Sequence, residues 1–288
     1  FLPMGDSAEA RASVDAVAAM GSTALKVWYL APPAERRAAL DALLHVVGHR
    51  AQGLGLDLIV HATSLREAKV ALKAGAKLLV HSVGDRPVDD EFLELLAAND
   101  AVYAPTLVVG RNWTRAYASV VLAEPYEIDD PNGCVDPETR LKIAGAAALR
   151  PHVPDRMRSS RAIYRRLEGS GAGMPTMMEN LRRVHGAGVT VVVATDAGNP
   201  LTLHGPSIYA EMEAMQRAGL EPMEVVVAAT RNGAAALGRP GDLGTLEAGR
   251  VADLLVLTAD PTRDVAAFRT VRSVMRRGVM RSVDELAW

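Results

Sequence analysis

Two short stretches, Leu58-Ile59-Val60-His61 and Leu78-Leu79-Val80-His81, decide how this chain is read. Each is a run of apolar residues long enough for one buried strand, and each is closed by a histidine. A third run, Val191-Val192-Val193-Ala194-Thr195-Asp196, is closed by a carboxylate instead. In a parallel barrel of strands and helices, functional side chains sit where the strands end, so polar groups closing separate buried strands should converge on one rim. Imidazole and carboxylate are metal-ligating groups, and the spacing points to metal-assisted chemistry.

The segments around these runs alternate between helical and strand-like patterns. Asp6 and Glu9 have capping-box spacing before the apolar stripe Val14, Val17 and Met20, and Gly21 stops that helix before a strand over 24–29. Pro32 and Pro33 open a second helix, whose Leu40, Leu43, Leu44, Val47 and Ala51 recur at helical spacing. Ser64 and Glu67 cap a third helix, and a fourth over 89–98 precedes an extended segment over 101–106. Strands alternating with helices of this length predict right-handed βαβ units and a parallel sheet.

The stretch 107–175 is too long for an ordinary connection, so it is expected to hold helices of its own as an insertion. Gly169-Ser170-Gly171-Ala172-Gly173 follows a charged helix rather than a strand and reads as a linker, not a phosphate loop. A helix over 177–185, a strand over 189–194 and two further helices complete a first region, 1–240. From Gly241 the pattern becomes turn-rich. A strand over 252–257 and a hairpin turning at Arg277-Gly278 assign 241–288 to a small β domain.

Composition narrows the function classes. At 288 residues and 49% hydrophobic the chain can bury a sizeable core, and a net charge of −2 with scattered Lys and Arg gives no footprint for nucleic acid or a membrane surface. No apolar run approaches the span of a bilayer. A small molecule is the expected partner. The single Cys134 has no partner for an internal disulfide. His45 and His49 lie four apart on a helix, but no Glu follows His45 to complete a metalloprotease motif, so they read as a solvated face. No glycine-rich turn follows the first strand, which argues against a dinucleotide-binding fold.

Five stretches taken together resemble a known family: Leu25-Lys26-Val27-Trp28, Val60-His61-Ala62, Val80-His81-Ser82-Val83, Ala194-Thr195-Asp196-Ala197-Gly198, and the run from Gly244 to Leu254. In that order they are similar to the amidohydrolase superfamily, in its imidazolonepropionase-like and prolidase-like branch. The resemblance implies an α/β fold built as an incomplete TIM (β/α)8 barrel, strands four to eight, followed by the C-terminal strands of a composite β-sandwich. It implies that Lys26 is a lysine carboxylated by CO2 to bridge two metals, that His61 and His81 bind the second metal, and that Asp196 is both ligand and proton acceptor. The cofactor would be a divalent metal, zinc, as one or two ions. His204, in the loop after the Asp196 strand, Arg111 at the pocket mouth with Asn112 and Trp113, and Tyr103 on the strand before them are the substrate-binding candidates. The implied activity is hydrolysis of an amide or cyclic-amide bond, dipeptidase-like or prolidase-like.

One departure from the family pattern stands out. These enzymes carry a His-x-His pair on the first barrel strand, and no His-x-His occurs here. The expectations that follow are a missing N-terminal segment, a second polypeptide supplying the front half, or a non-catalytic fragment serving as a scaffold, and a homo-oligomer is a separate expected partner. A mononuclear, imidazolonepropionase-like ring opener in which Lys26 binds no metal is the remaining alternative. Localisation stays open.

Overall fold

A computed structural model describes every residue except 1, 3, 31–32, 156–157, 170–173 and 288. Part of the Gly-rich linker and one of the two prolines expected to open the second helix therefore lie outside the described residues. The chain forms two compact units, Phe1–Pro105 with Glu179–Val192, and Thr106–Met178 with Val193–Trp288.

The first unit is an α/β layer. Helix α1 (Ser7–Ala19) leads into β1 (Ala24–Trp28), α2 (Arg37–Gly53) into β2 (Asp57–His61), α3 (Leu65–Lys73) into β3 (Leu78–Val80), and α4 (Asp90–Ala98) into β4 (Val102–Ala104). The strands pair in parallel in the order β1-β2-β3-β4, the arrangement that strand-helix alternation predicts. Parallel register puts Val27, Val60, Leu79 and Tyr103 in one row across the sheet, and all four are buried. That row faces the helices, where α1 packs on α2, α2 on α3, and α3 on α4. Each such aliphatic side chain contributes about 1.5–3 kcal/mol on leaving water. The next row, Trp28, His61, Val80 and Ala104, lies by strand alternation on the opposite face.

The expected strand over 189–194 is reduced to a single parallel bridge between Tyr103 and Val191. Its ladder consists of Tyr103 N–H donating to the Thr190 carbonyl (2.9 Å) and Val192 N–H donating to the Tyr103 carbonyl (3.0 Å). Both bonds go to one short strand that stops at Ala104, so pairing cannot propagate further.

Helix α2 packs against the end of α3 through Gly48. A Cβ at this position would stand 1.8 Å from the Ala74 carbonyl oxygen. Helix propensity alone favours Ala over Gly by about 1 kcal/mol, so the close backbone approach is what demands glycine here.

The second unit opens on the loop after β4 and continues into α5 (Val109–Val121), α6 (Pro137–Ala144) and α7 (Ser160–Gly169), the helices expected within 107–175. Ala118 and Val121 of α5 pack with Ile163 of α7, and Leu122, Val153 and Leu167 close around them. Helix α8 (Met174–Gly186) begins in this unit and ends in the first. Then come α9 (Ser207–Arg217), α10 (Pro222–Ala229) and α11 (Arg231–Ala236). The antiparallel sheet β5 (Leu254–Leu257), β6 (Val271–Arg276) and β7 (Val279–Ser282) follows, with a last short helix α12 (Val283–Leu286). The hairpin turns where expected: Arg277 and Gly278 both have positive φ, 49° and 82°, as a two-residue turn matched to strand twist requires. Among the described residues no helix is long and apolar enough to cross a membrane.

The start of α5 is held by a carboxylate from another helix. Val108 at its N-cap supplies no side-chain acceptor. Glu211 of α9, fully buried, accepts the Leu107 N–H (2.7 Å) and the Val108 N–H (3.0 Å), one on each oxygen. Burial pushes its carboxyl up to about 7, and the two N–H donors oppose that rise only in part.

Two outcomes test this packing. Gly48→Ala is expected to lower unfolding free energy by about 3 kcal/mol in chemical denaturation, against the gain that propensity alone would give. Glu211 has a raised folded-state pKa, so its contribution is full below about 4.5 and is lost as pH climbs towards about 7. Glu211→Gln removes that pH dependence and turns an N–H donor towards a backbone N–H. Denaturation at pH 5 should show a loss of about 1–3 kcal/mol, and the slope between pH 5 and 7 should flatten.

Candidate functional site

Strand alternation alone would send His81 to the helix-covered face, because Val80 already occupies the opposite one. The backbone prevents this by adopting φ 83° at His81, a left-handed conformation that costs a non-glycine residue about 1 kcal/mol or more. The strand ends there, and the His81 ring stands edge-on to the His61 ring with centroids 4.3 Å apart. The His81 N–H is still held, donating to the Ala104 carbonyl at 2.9 Å. The Trp28 indole meets the other side of His61, also edge-on, at 5.4 Å. Lys26 lies two residues before Trp28 on the same exposed face of β1, Cα-paired with Ile59.

The loop after His81 is fixed by a buried amide. Asn180 of α8, fully buried, accepts the Val88 N–H (2.8 Å) and donates to the carbonyls of Val83 (2.8 Å) and Arg86 (2.9 Å). Ser82 Oγ donates to the Pro105 carbonyl at 2.9 Å, tying the same loop to the end of β4. Tyr103, a substrate-contact candidate that reads more readily as core, is wholly buried, and its hydroxyl accepts the Val83 N–H at 3.2 Å. Burial pushes this phenol above its ordinary range. Its work is to brace the His81 loop.

Asp196, His204 and Arg111 belong to the second unit. Asp196 is half-buried with φ 58°, and its carbonyl accepts both the backbone N–H (3.4 Å) and the side-chain amide (2.9 Å) of Asn199. Asn112 and Trp113, expected at a pocket mouth, steady this loop from α5: Trp113 Nε1 donates to Asn199 Oδ1 at 3.1 Å, and the Asn112 amide donates to Thr202 Oγ1 at 3.3 Å. His204 is exposed, its Nε2 3.9 Å from where a Cβ on Gly198 would stand. Arg111 is exposed on α5. His45, His49 and His152 are exposed, as a solvated role requires.

The donor set can be weighed against a divalent ion. Paired imidazoles at adjacent strand ends suit zinc and its neighbours in the first transition row. Among the described residues no group of three or more His, Cys, Asp and Glu side chains gathers closely enough to hold a metal. The His61–His81 pair thus supplies two donors of the expected kind.

Sequence reasoning passed over Asn180 and Glu211. Both carried a signal: each is a polar residue at an apolar-stripe position, Asn180 beside Leu181 and Val184, Glu211 beside Met212 and Met215.

The chain matches the Amidohydrolase family over residues 6–281. Imidazolonepropionase of Streptomyces coelicolor is 35% identical over 156 residues, which cover 50% of this chain and 39% of that protein. Its counterpart in Salinispora arenicola is 41% identical over 144 residues, 48% of this chain and 32% of the relative. Among solved structures, a Xaa-Pro dipeptidase with bound methionine in its active site superposes with a TM-score of 0.65 at 19% identity, over 96% of this chain and 58% of that one. Ochratoxinase of A. niger gives a TM-score of 0.60 at 22% identity, over 96% of this chain and 55% of its own. The chain spans under two fifths of the length of these curated relatives and under three fifths of these two structures. With the match running through nearly all its described elements, the chain belongs to the amidohydrolase family.

Proposed function

We propose that this protein is a metal-dependent hydrolase cleaving an amide or cyclic-amide bond, dipeptidase-like or prolidase-like. The observation that carries the reading is the edge-on pair His61 and His81 at neighbouring parallel strand ends. Family membership over residues 6–281 supports it. The same reading takes β1 to β4 and the Val191 segment as strands four to eight of a (β/α)8 barrel, and β5 to β7 as strands of a composite β-sandwich.

Lys26, His61, His81 and Asp196 are the residues that would hold one or two divalent ions. When bound, such an ion supplies Lewis acidity that polarises a carbonyl oxygen and acidifies water. Carboxylation would convert Lys26 from a donor-only ammonium into an anionic oxygen ligand, with CO2 adding to the neutral amine and a proton leaving. The imidazoles would serve as neutral nitrogen donors. Asp196 would take the proton of the attacking water and pass it to the leaving nitrogen, and the two Asn199 bonds to its carbonyl fix the loop from which it would act. His204 and Arg111 remain substrate-contact candidates in this scheme.

A second reading, a mononuclear ring opener, is favoured by one observation: the two curated relatives described above are imidazolonepropionases. In it Lys26 binds no metal.

Metal analysis and assays on Xaa-Pro dipeptides and a cyclic amide separate the outcomes. His61→Ala and His81→Ala are each expected to lower metal content and to cut kcat/KM by about a hundredfold or more, and chelation should abolish turnover. Lys26→Ala should halve the metal content of a binuclear enzyme and leave that of a mononuclear one unchanged. Wild-type protein that stays metal-free in zinc-supplemented buffer and hydrolyses neither class would overturn both readings in favour of a scaffold.

A further inference from the structure

A small cavity lies wholly within the second unit, between α5 and α9. It is a cavity of about 110 Å³ whose lining includes Arg111, Arg115, Arg217, Tyr126, Asp129 and Ser207. Arg111 and Arg115 stand four residues apart on α5 and so project from one face, while Arg217 closes the last turn of α9.

The charged groups of its lining are three arginines and one aspartate, and Arg115 also borders a neighbouring cavity that holds Glu124, Glu127 and Asp130. Asp129, the carboxylate in the lining, is held by Arg269 at 2.6 Å. Glu213 is engaged twice by the same Arg269, at 2.6 Å and 3.3 Å, and makes only a long ion pair, 4.0 Å, with Arg217. Arg269 also lies over the Tyr209 ring, 5.6 Å from its centroid, which anchors it in this position. Among the described residues, Arg111 and Arg115 form no ion pair within 4.0 Å. Arg115 holds the Arg111 guanidinium below its usual range, and partial burial and then Arg217 add to that effect. Three guanidinium groups lining one concave site, with the Asp129 carboxylate paired to Arg269 and Glu213 shared between Arg269 and Arg217, offer a receptor for an anion, and guanidinium forks match the oxygens of carboxylate and phosphate.

We propose that this pocket binds a small oxyanion, a carboxylate or phosphate group, through Arg111, Arg115 and Arg217. Arg111 is also a substrate-contact candidate of the hydrolase reading, but the inference is read by anion binding and not by turnover, so its failure and that of the hydrolase reading are distinguishable.

Calorimetric titration at low ionic strength with inorganic phosphate, and separately with succinate, tests it on the intact protein. One saturable site is expected. Binding of phosphate alone or succinate alone identifies the preferred oxyanion, and binding of both identifies their shared chemistry. Arg111→Gln and Arg115→Gln should each weaken binding about tenfold or more, and the triple variant including Arg217→Gln should abolish it. Arg272→Gln, which removes an exposed charge on β6, should leave it unchanged. Relief of repulsion gives a second readout: without anion, Arg115→Gln should melt no lower than the parent, while losing the rise in Tm that the anion produces in the parent. Absence of saturable binding by either anion, or equal affinity in the parent and the Arg111 and Arg115 variants, would overturn the proposal.

Discussion

The left-handed backbone at His81 is the constraint around which the first unit is organised. Without it, strict alternation along β3 would bury this imidazole among the helices, in a row already filled by Val60, Leu79 and Tyr103. With it, a side chain that ends a strand moves to the face where His61 and Trp28 already stand. Positive φ recurs at Thr106 and Asp196, which follow β4 and the Val191 run. Strain at residues of this kind persists only where the surroundings over-determine it. Here the determinants are visible as hydrogen bonds.

Those determinants are polar groups set into apolar stripes. Asn180 uses its amide oxygen and nitrogen to hold three backbone groups of the loop after His81, and Glu211 spends both oxygens on the two residues after Thr106. Each group is costly to bury and becomes tolerable only because its bonding capacity is met. The same side chains that add little to the core's hydrophobic content therefore decide which way the functional loops run. Arg269 does the equivalent for charge, pairing with both Asp129 and Glu213 within the second unit.

Much of this was legible in the residues themselves. Helix-strand alternation, the Ser64–Glu67 capping box and the Arg277-Gly278 turn each depend on contacts between near neighbours in the chain, and each forms as read. The strand-closing histidines were readable for the same reason. What local pattern could not supply were features set by distant partners. The run over 189–194 has full strand character yet pairs at one residue, because its length is limited by where β4 stops. Tyr103 reads more readily as core than as pocket, but how fully it is enclosed shows only once the helices covering its row are known. Asn180 and Glu211 reveal themselves only as interruptions of a hydrophobic period, a weak sign without the backbone groups they satisfy.

The indole against His61 gives the molecule an optical voice. Trp28 is 57% exposed, while its ring edge touches an imidazole that belongs to the proposed centre. Indole emission responds to a neighbouring positive charge, and an imidazole that gains a proton or shares its lone pair with a cation becomes such a charge. Of the three tryptophans, Trp113 is engaged by Asn199 in the other unit, so the signal of Trp28 can be isolated by substituting the remaining two. Fluorescence can then follow the electrical state of His61 directly, with no added dye and no turnover.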